Sequence, residues 1–359
     1  MGARGAVAAV SALLIAGSVA VAVTVGPDRA ARIVRGAPEV VAPEDARPVP
    51  ELAGVTEWVN SAPLSMASLR GRVVLVDFWT YSCINCRRTF PFLRALHETY
   101  GPRGLTVLGV HSPEFDFEKD PANVERAVRS LGVTWPVAMD PDKATWDAFD
   151  NRYWPADYVV DANGLIRAQH VGEGDEEEVE DAIRSLLADP GPRRAARSDR
   201  AHGRLTPELY LGYSRGGQVA DGATVTRADA PGTPDVPALT GRFTGALEWV
   251  AAAAPGATVT LDYTARDVYA VLAPPPGAPP GAAGSAPGSA WRVEVLLDGA
   301  PVPPARRGAA VVEAGGRTYV DVAADDLYHL LTGPSSGRDR VALRAERAGL
   351  RWFTFTFGG

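Results

Sequence analysis

The chain has 359 residues, 46% of them hydrophobic and 22% charged, with a formal net charge of −7. That length holds about two domains at roughly 100 to 200 residues each, and the composition is that of a folded protein rather than a disordered or collagenous one. Lysine occurs only at Lys119 and Lys143, and no basic stripe is present; a nucleic-acid partner is excluded.

Residues 6–25 (AVAAVSALLIAGSVAVAVTV) carry no charge and have the length of a single membrane-crossing apolar helix. Two export readings stand for residues 1–25. One is a retained signal anchor, which puts a single-pass protein in the cell membrane with its domains on the extracytoplasmic side. The other is a signal peptide, with Arg4 as its basic start and Ala20-Val21-Ala22 as its cleavage site, which gives a secreted protein. Arg29, Arg32 and Arg35 follow the apolar stretch and argue for the opposite orientation by positive-inside counting; an exported thiol pair favours the outside.

Residues 26–52 read as a proline-rich, extended spacer. From 53 to 190 strands alternate with helices, the pattern of an α/β unit. VVLVDFW (73–79) is a buried-strand run, after which Cys86, Phe90, Leu93, Leu96 and Tyr100 recur at helical spacing. LTVLGV (105–110) is a second strand, 121–132 a helix, and Asp140-Pro141 starts another helix carrying Trp146 and Phe149. YVVD (158–161) and LIRAQHV (165–171) form a hairpin about Asn163-Gly164, expected to supply the positive φ angles of a two-residue turn. The last helix opens at Gly174-Asp175, where Glu176, Glu177 and Glu178 are expected as a solvated cap on the positive helix end.

Residues 191–204 form a polar linker. Beyond it, over 205–359, short strand-like runs (ATVTRA, GRFTGALEWV, ATVTLDYT, DVYAVL, WRVEVLL, RTYVDV, DRVALRA, RWFTFTF) predict an all-β sandwich or jelly roll, interrupted by a low-complexity insertion at 273–290.

The two cysteines of the chain, Cys83 and Cys86, flank Ile84 and Asn85. So short a loop does not brace a fold; it is the reactive kind of pair. At a helix start the first sulfur faces unpaired amides and the positive dipole end, where a thiol ionises more readily than at the ordinary value of about 8.5. Cys83 is then the attacking sulfur and Cys86 the resolving one, and Arg87 and Arg88 either add positive charge nearby or are solvated surface.

VDFWTYSCINC resembles the signature of the thioredoxin superfamily over about residues 53–190. The resemblance implies that Asp77 is the buried acid relaying a proton to Cys86, that Trp79 belongs to the signature, and that Pro91 bends the first helix. It also requires a cis-proline facing the sulfurs. Of Pro113, Pro136, Pro141 and Pro155, the last precedes a strand as the family's proline does, with Trp154 flanking the sulfurs. The longer path from Cys86 to Pro155 looks like the insertion of TlpA-like exported reductases. It puts Glu114 where those proteins carry an acid near the disulfide, which implies a proton-transfer role against the plainer reading of a solvated loop acid.

VVLVDFWTYSCINCRRTFPF, GVHSPEFDFEKDPANV and RYWPADYVVDANG further resemble the carboxy-terminal part of actinobacterial DipZ proteins, in which a β domain similar to carbohydrate-binding modules follows the thioredoxin-like one. Those proteins begin with a multi-span electron-carrying domain, whereas one apolar segment is seen here. The resemblance thus implies a separate membrane electron-transfer partner of the CcdA/DsbD type, protein dithiols or disulfides as substrates, and no cofactor beyond the Cys83–Cys86 pair.

Three other readings compete. Zinc usually takes four ligands, and no second cysteine pair joins His97 or His111; haem attachment needs a His where Arg87 stands. A thiol peroxidase shares the extended fold. A glycan- or envelope-docking role would use Trp249, Trp291 or Trp352, each more simply a core residue.

Overall fold

The computed structural model describes residues 40–193, 195, 205–215, 224–228, 233–278, 291–333 and 337–358. The apolar segment 6–25, most of the linker 191–204 and residues 279–290 of the insertion lie outside the described residues. None of the described helices is long and apolar enough to cross a membrane.

The first domain is a seven-stranded sheet: β1 (Arg47–Pro48), β2 (Glu57–Val59), β3 (Val73–Trp79), β4 (Leu105–His111), β5 (Val137–Met139), β6 (Ala156–Val160) and β7 (Leu165–Val171), in the spatial order β1-β7-β6-β3-β4-β5-β2. β3, β4 and β5 run parallel, β6 pairs antiparallel with β3, and β7 pairs antiparallel with β6. The sequence VVLVDFW is apolar almost throughout because β3 is covered on both faces. Val73, Leu75 and Trp79 pack into one cluster with helices α1 (Ile84–Tyr100), α2 (Pro121–Ser130) and α4 (Glu176–Leu186). Val74, Val76 and Phe78 pack on the other face against Trp146 of α3 (Ala144–Ala148) and Phe149.

Several boundaries differ from the sequence reading. The sheet begins at β1, inside the stretch read as spacer, because a proline is tolerated on an edge strand such as β1. Helix α3 starts after Lys143 rather than at Pro141, since the buried Asp140 side chain accepts from the amides of Thr145 (3.0 Å) and Trp146 (2.9 Å) and fixes the first turn there. The β6–β7 connection is a loop of residues 161–164: Asp161 Oδ1 accepts from the amides of Asn163 (3.0 Å) and Leu165 (2.9 Å), and Gly164 has positive φ (74°) while Asn163 does not. Asp161 thus replaces the expected two-residue turn with an Asx-type turn.

The second domain is all-β, built from strands β8 (Leu209–Tyr210), β9 (Thr224–Ala228), β10 (Ala238–Gly245), β11 (Val250–Ala252), β12 (Thr258–Ala265), β13 (Asp267–Ala273), β14 (Trp291–Leu297), β15 (Ala300–Pro301), β16 (Val311–Ala314), β17 (Arg317–Val322), β18 (Asp326–Leu331), β19 (Gly337–Ala345) and β20 (Arg351–Gly358). Pairing runs antiparallel along β16-β17-β14-β19-β12-β10-β11-β20-β13-β18, a barrel-like sheet around one apolar cluster. β12 shows the cause in its sequence: Val259, Leu261, Tyr263 and Ala265 alternate inward. Trp352 is fully buried in this core, Trp291 is half-buried against it, and Trp249 packs between the domains.

Gly109 on β4 is fixed by close approach, because a Cβ there would lie 2.8 Å from Trp79 Nε1 and 3.2 Å from Trp135 Nε1. Gly109→Ala is expected to lower stability by about 1–3 kcal/mol through overpacking, read by urea unfolding.

Candidate active site

Strand β3 ends at Trp79, and the chain turns through Thr80–Ser82 into α1. Cys83 is the N-cap residue of α1, with extended backbone (φ −77°, ψ 113°), and its Sγ accepts from the Cys86 amide at 3.3 Å. Cys86, one turn on, is fully buried in the core beneath the helix, while Cys83 is half-buried; both are free thiols. Burial first, and then the hydrogen bond with Cys83, pushes the Cys86 thiol well above its ordinary value. One accessible sulfur on a helix end and one proton-retaining sulfur behind it can perform stepwise disulfide exchange.

Behind Cys86 lies Asp77 of β3, 1% exposed, whose Oδ2 has no hydrogen-bond partner. Burial, reinforced by Asp157 directly opposite on β6, raises the proton affinity of its carboxyl well above the usual range. Asp157 is itself buried and is pushed up to about 7 by burial and by Glu176. Glu176 is 5% exposed rather than part of a solvated cap: as the first residue of α4 it turns inward over the sheet.

Trp79 is fully buried, edge-on to Phe90 (5.2 Å) and to His111 (4.9 Å). Burial pushes His111 down to about 3, so it is neutral there. The Trp154–Pro155 peptide is cis. Trp154 Nε1 donates to Ser112 O (3.0 Å), its ring packs on Trp146 and against the cluster that also contacts Cys83, and Lys143 Nζ stands 4.4 Å over it.

Glu114 faces the second domain. Its carboxylate accepts from Tyr210 Oη (2.6 Å) and pairs with Arg215 Nη1 (2.5 Å). The acid held against the cysteine loop is instead Glu118, which the sequence reading missed. Its Oε1 accepts from the Ser82 amide (3.1 Å) and hydroxyl (2.7 Å), and its Oε2 from the amides of Glu114 (2.6 Å) and Phe115 (3.0 Å). Asp157 was also missed, although an acid in a wholly buried strand (ADYVV) is a signal in itself.

The β domain closes one flank of the site. Ile84, between the two cysteines, is only 7% exposed and packs with Phe115 against Val271, Ala273, Leu327 and Phe353. Arg87 donates to Tyr81 O (2.5 Å) and pairs with Asp326, and Tyr81 Oη reaches Asp325 O (3.4 Å). Arg88 engages Glu173 (3.2 Å). Both arginines therefore spend their charge on carboxylates. Among the described residues no group of His, Cys, Asp or Glu is clustered to hold a metal.

Residues 47–169 match the AhpC/TSA family and residues 206–358 the family described as thioredoxin like C-terminal domain. The thiol-disulfide oxidoreductase YkuV of Bacillus subtilis is 30% identical over 143 residues, which are 40% of this chain and 96% of that protein. The chain belongs to the thioredoxin superfamily. It resembles DipZ: the protein DipZ of Mycobacterium tuberculosis is 35% identical over 334 residues, 88% of this chain. The chain spans 43% of the length of that relative. Among solved structures, a thiol-disulfide isomerase from Corynebacterium glutamicum is 28% identical, covering 39% of this chain and 97% of its own, with a TM-score of 0.36.

In this thioredoxin-superfamily chain, Glu118→Ala would strand four donors and is expected to cost about 3 kcal/mol or more, measured by chemical unfolding. Asp157 carries a pH signature. Because its folded-state value lies near 7 against an ordinary 3.8, its contribution to stability is full below about pH 4 and is lost as pH rises through 7. Asp157→Asn should thus raise stability at pH 8 by on the order of a few kcal/mol and leave it unchanged below pH 4, as read from unfolding midpoints across pH.

Proposed function

We propose that the chain exchanges dithiol and disulfide with other proteins outside the cytoplasm, through a mixed disulfide on Cys83 that Cys86 resolves. The observation that carries this reading is the inequality of the two sulfurs: Cys83 half-buried on the helix end and Cys86 fully buried behind it. In the reducing direction the Cys83 thiolate attacks a substrate disulfide and releases one substrate thiolate. Cys86 then loses its proton and attacks Cys83 Sγ; the second substrate thiolate leaves as the Cys83–Cys86 disulfide forms. The reverse sequence oxidises a substrate dithiol. Asp77 receives the Cys86 proton, and Trp154 with cis-Pro155 forms the rim over which a substrate chain would lie.

The extracytoplasmic placement draws on the apolar segment 6–25. Envelope protein folding or cytochrome c maturation is the setting that fits it, with a membrane electron-transfer protein of the CcdA/DsbD type renewing the thiol pair. Reduction of peroxide by Cys83 is the competing chemistry, and a resolving sulfur one turn away favours disulfide exchange over it.

Cys86→Ser is expected to accumulate a mixed disulfide with a protein substrate, seen as a thiol-sensitive mass increase on non-reducing gels. Cys83→Ser should form none and lose all exchange activity. Faster turnover of hydrogen peroxide than of a protein disulfide in stopped flow would favour the peroxidase instead.

A further inference from the structure

We infer that Asp77 does not act alone: Asp157, facing it across the strand pair with His170 and Glu176 beyond, sets how readily Asp77 takes up the Cys86 proton. This rests on the exchange reading above, in which Cys86 must give up a proton each time it closes on Cys83.

The register places these residues. Asp77 on β3 stands opposite Asp157 on β6, and Asp157 stands opposite His170 on β7. Directly opposed residues of antiparallel strands point to the same face with Cβ atoms about 4.5–5.5 Å apart. The three therefore form one row across three strands. Their face is the one that carries Leu75, Trp79, Val159 and Ala168, the cluster into which Cys86 is packed. From α4, which packs over β6 and β3, Glu176 bears on Asp157; from α1, Cys86 bears on Asp77. Among the described residues, Asp157 is the charge that acts on Asp77, and Glu176 the one that acts on Asp157. Burial grades outward along it, from Asp77 at 1% and Asp157 at 5% to the half-buried His170.

Two further facts separate this row from a structural network. Among the described residues neither Asp77 nor Asp157 has an ion pair, and Asp77 Oδ2 and Asp157 Oδ1 each lack a hydrogen-bond partner. A buried acid that only stabilised the fold would be satisfied by donors, as Glu118 is. Two facing buried carboxylates do not both carry charge readily, so the pair retains one proton and has room for a second. When Cys86 attacks, its S–H proton passes to the pair, its sulfur bonds to Cys83, and the Cys83–substrate S–S bond breaks with the electron pair leaving on the substrate thiolate. The two cysteine thiols are oxidised and the substrate disulfide is reduced. Asp157 is a positioning residue in this step: its charge sets how strongly Asp77 holds a proton.

The test uses the full chain, reduced, with dithiobis(nitrobenzoate) as the disulfide. The first nitrothiobenzoate released reports attack by Cys83, and the second reports closure by Cys86. In Asp157→Asn the first release should keep its rate, while the pH midpoint of the second moves down by about one unit, because Asp77 no longer faces a like charge. Asp157→Glu should restore the midpoint. A second-release profile in Asp157→Asn that overlays the parent's overturns the inference. On the unmodified chain, the infrared difference between dithiol and disulfide states should contain a protonated-carboxyl C=O band, and its absence also overturns it. If the parent gave neither release, the exchange reading would fall first.

Discussion

Two oxygens of one buried side chain organise the active site. Glu118 receives the amide and hydroxyl of Ser82 on one oxygen and the amides of Glu114 and Phe115 on the other. Burial raises the proton affinity of this carboxyl, and four donors act against that cost. The cysteine loop and the segment after β4 are thereby fixed as one body. Cys83 then starts α1 at a defined point. Phe115 is delivered to the seam between the domains, and Glu114 is turned toward Tyr210 and Arg215.

Fixing that body also fixes how the β domain meets it. Phe115 and Ile84 form the first domain's share of an apolar cluster with Val271, Ala273, Leu327 and Phe353. The side of the cysteine pair that Ile84 occupies is closed by the second domain. Around the cluster run polar ties, Arg87 with Asp326 and Tyr81 with Asp325, that place residues next to the sulfurs in direct contact with β18 and the turn before it. The second domain is thus part of the wall of the redox site rather than a separate module on a tether.

Behind the sulfurs the physics is opposite in kind. Asp77 and Asp157 are buried with unpartnered oxygens, an arrangement that costs stability near neutral pH and is retained where proton affinity matters. Glu118, bonded to the cysteine loop, shows what a satisfied buried acid looks like. The contrast divides the site into a hydrogen-bonded front at the start of α1 and a titratable back behind Cys86.

Much of this was legible in the chain itself. The apolar run 73–79, the helical spacing from Cys86 to Tyr100 and the alternation in β12 are local patterns, set by which face a side chain takes, and they determined the elements and the α/β-then-β order. The paired cysteines at a helix start were legible too, because the Cys-x-x-Cys spacing sits just after the strand run and opens the helical pattern. What only the tertiary structure decided is which residues meet across long separations. Asp157 finds Asp77 through strand register, Glu118 finds Ser82 through a folded-back loop, Ile84 finds Leu327 and Phe353 through domain packing, and Glu176 turns inward where an N-terminal helix acid would ordinarily be solvated. Register and docking depend on the summed packing of whole faces, so no local spacing encodes them.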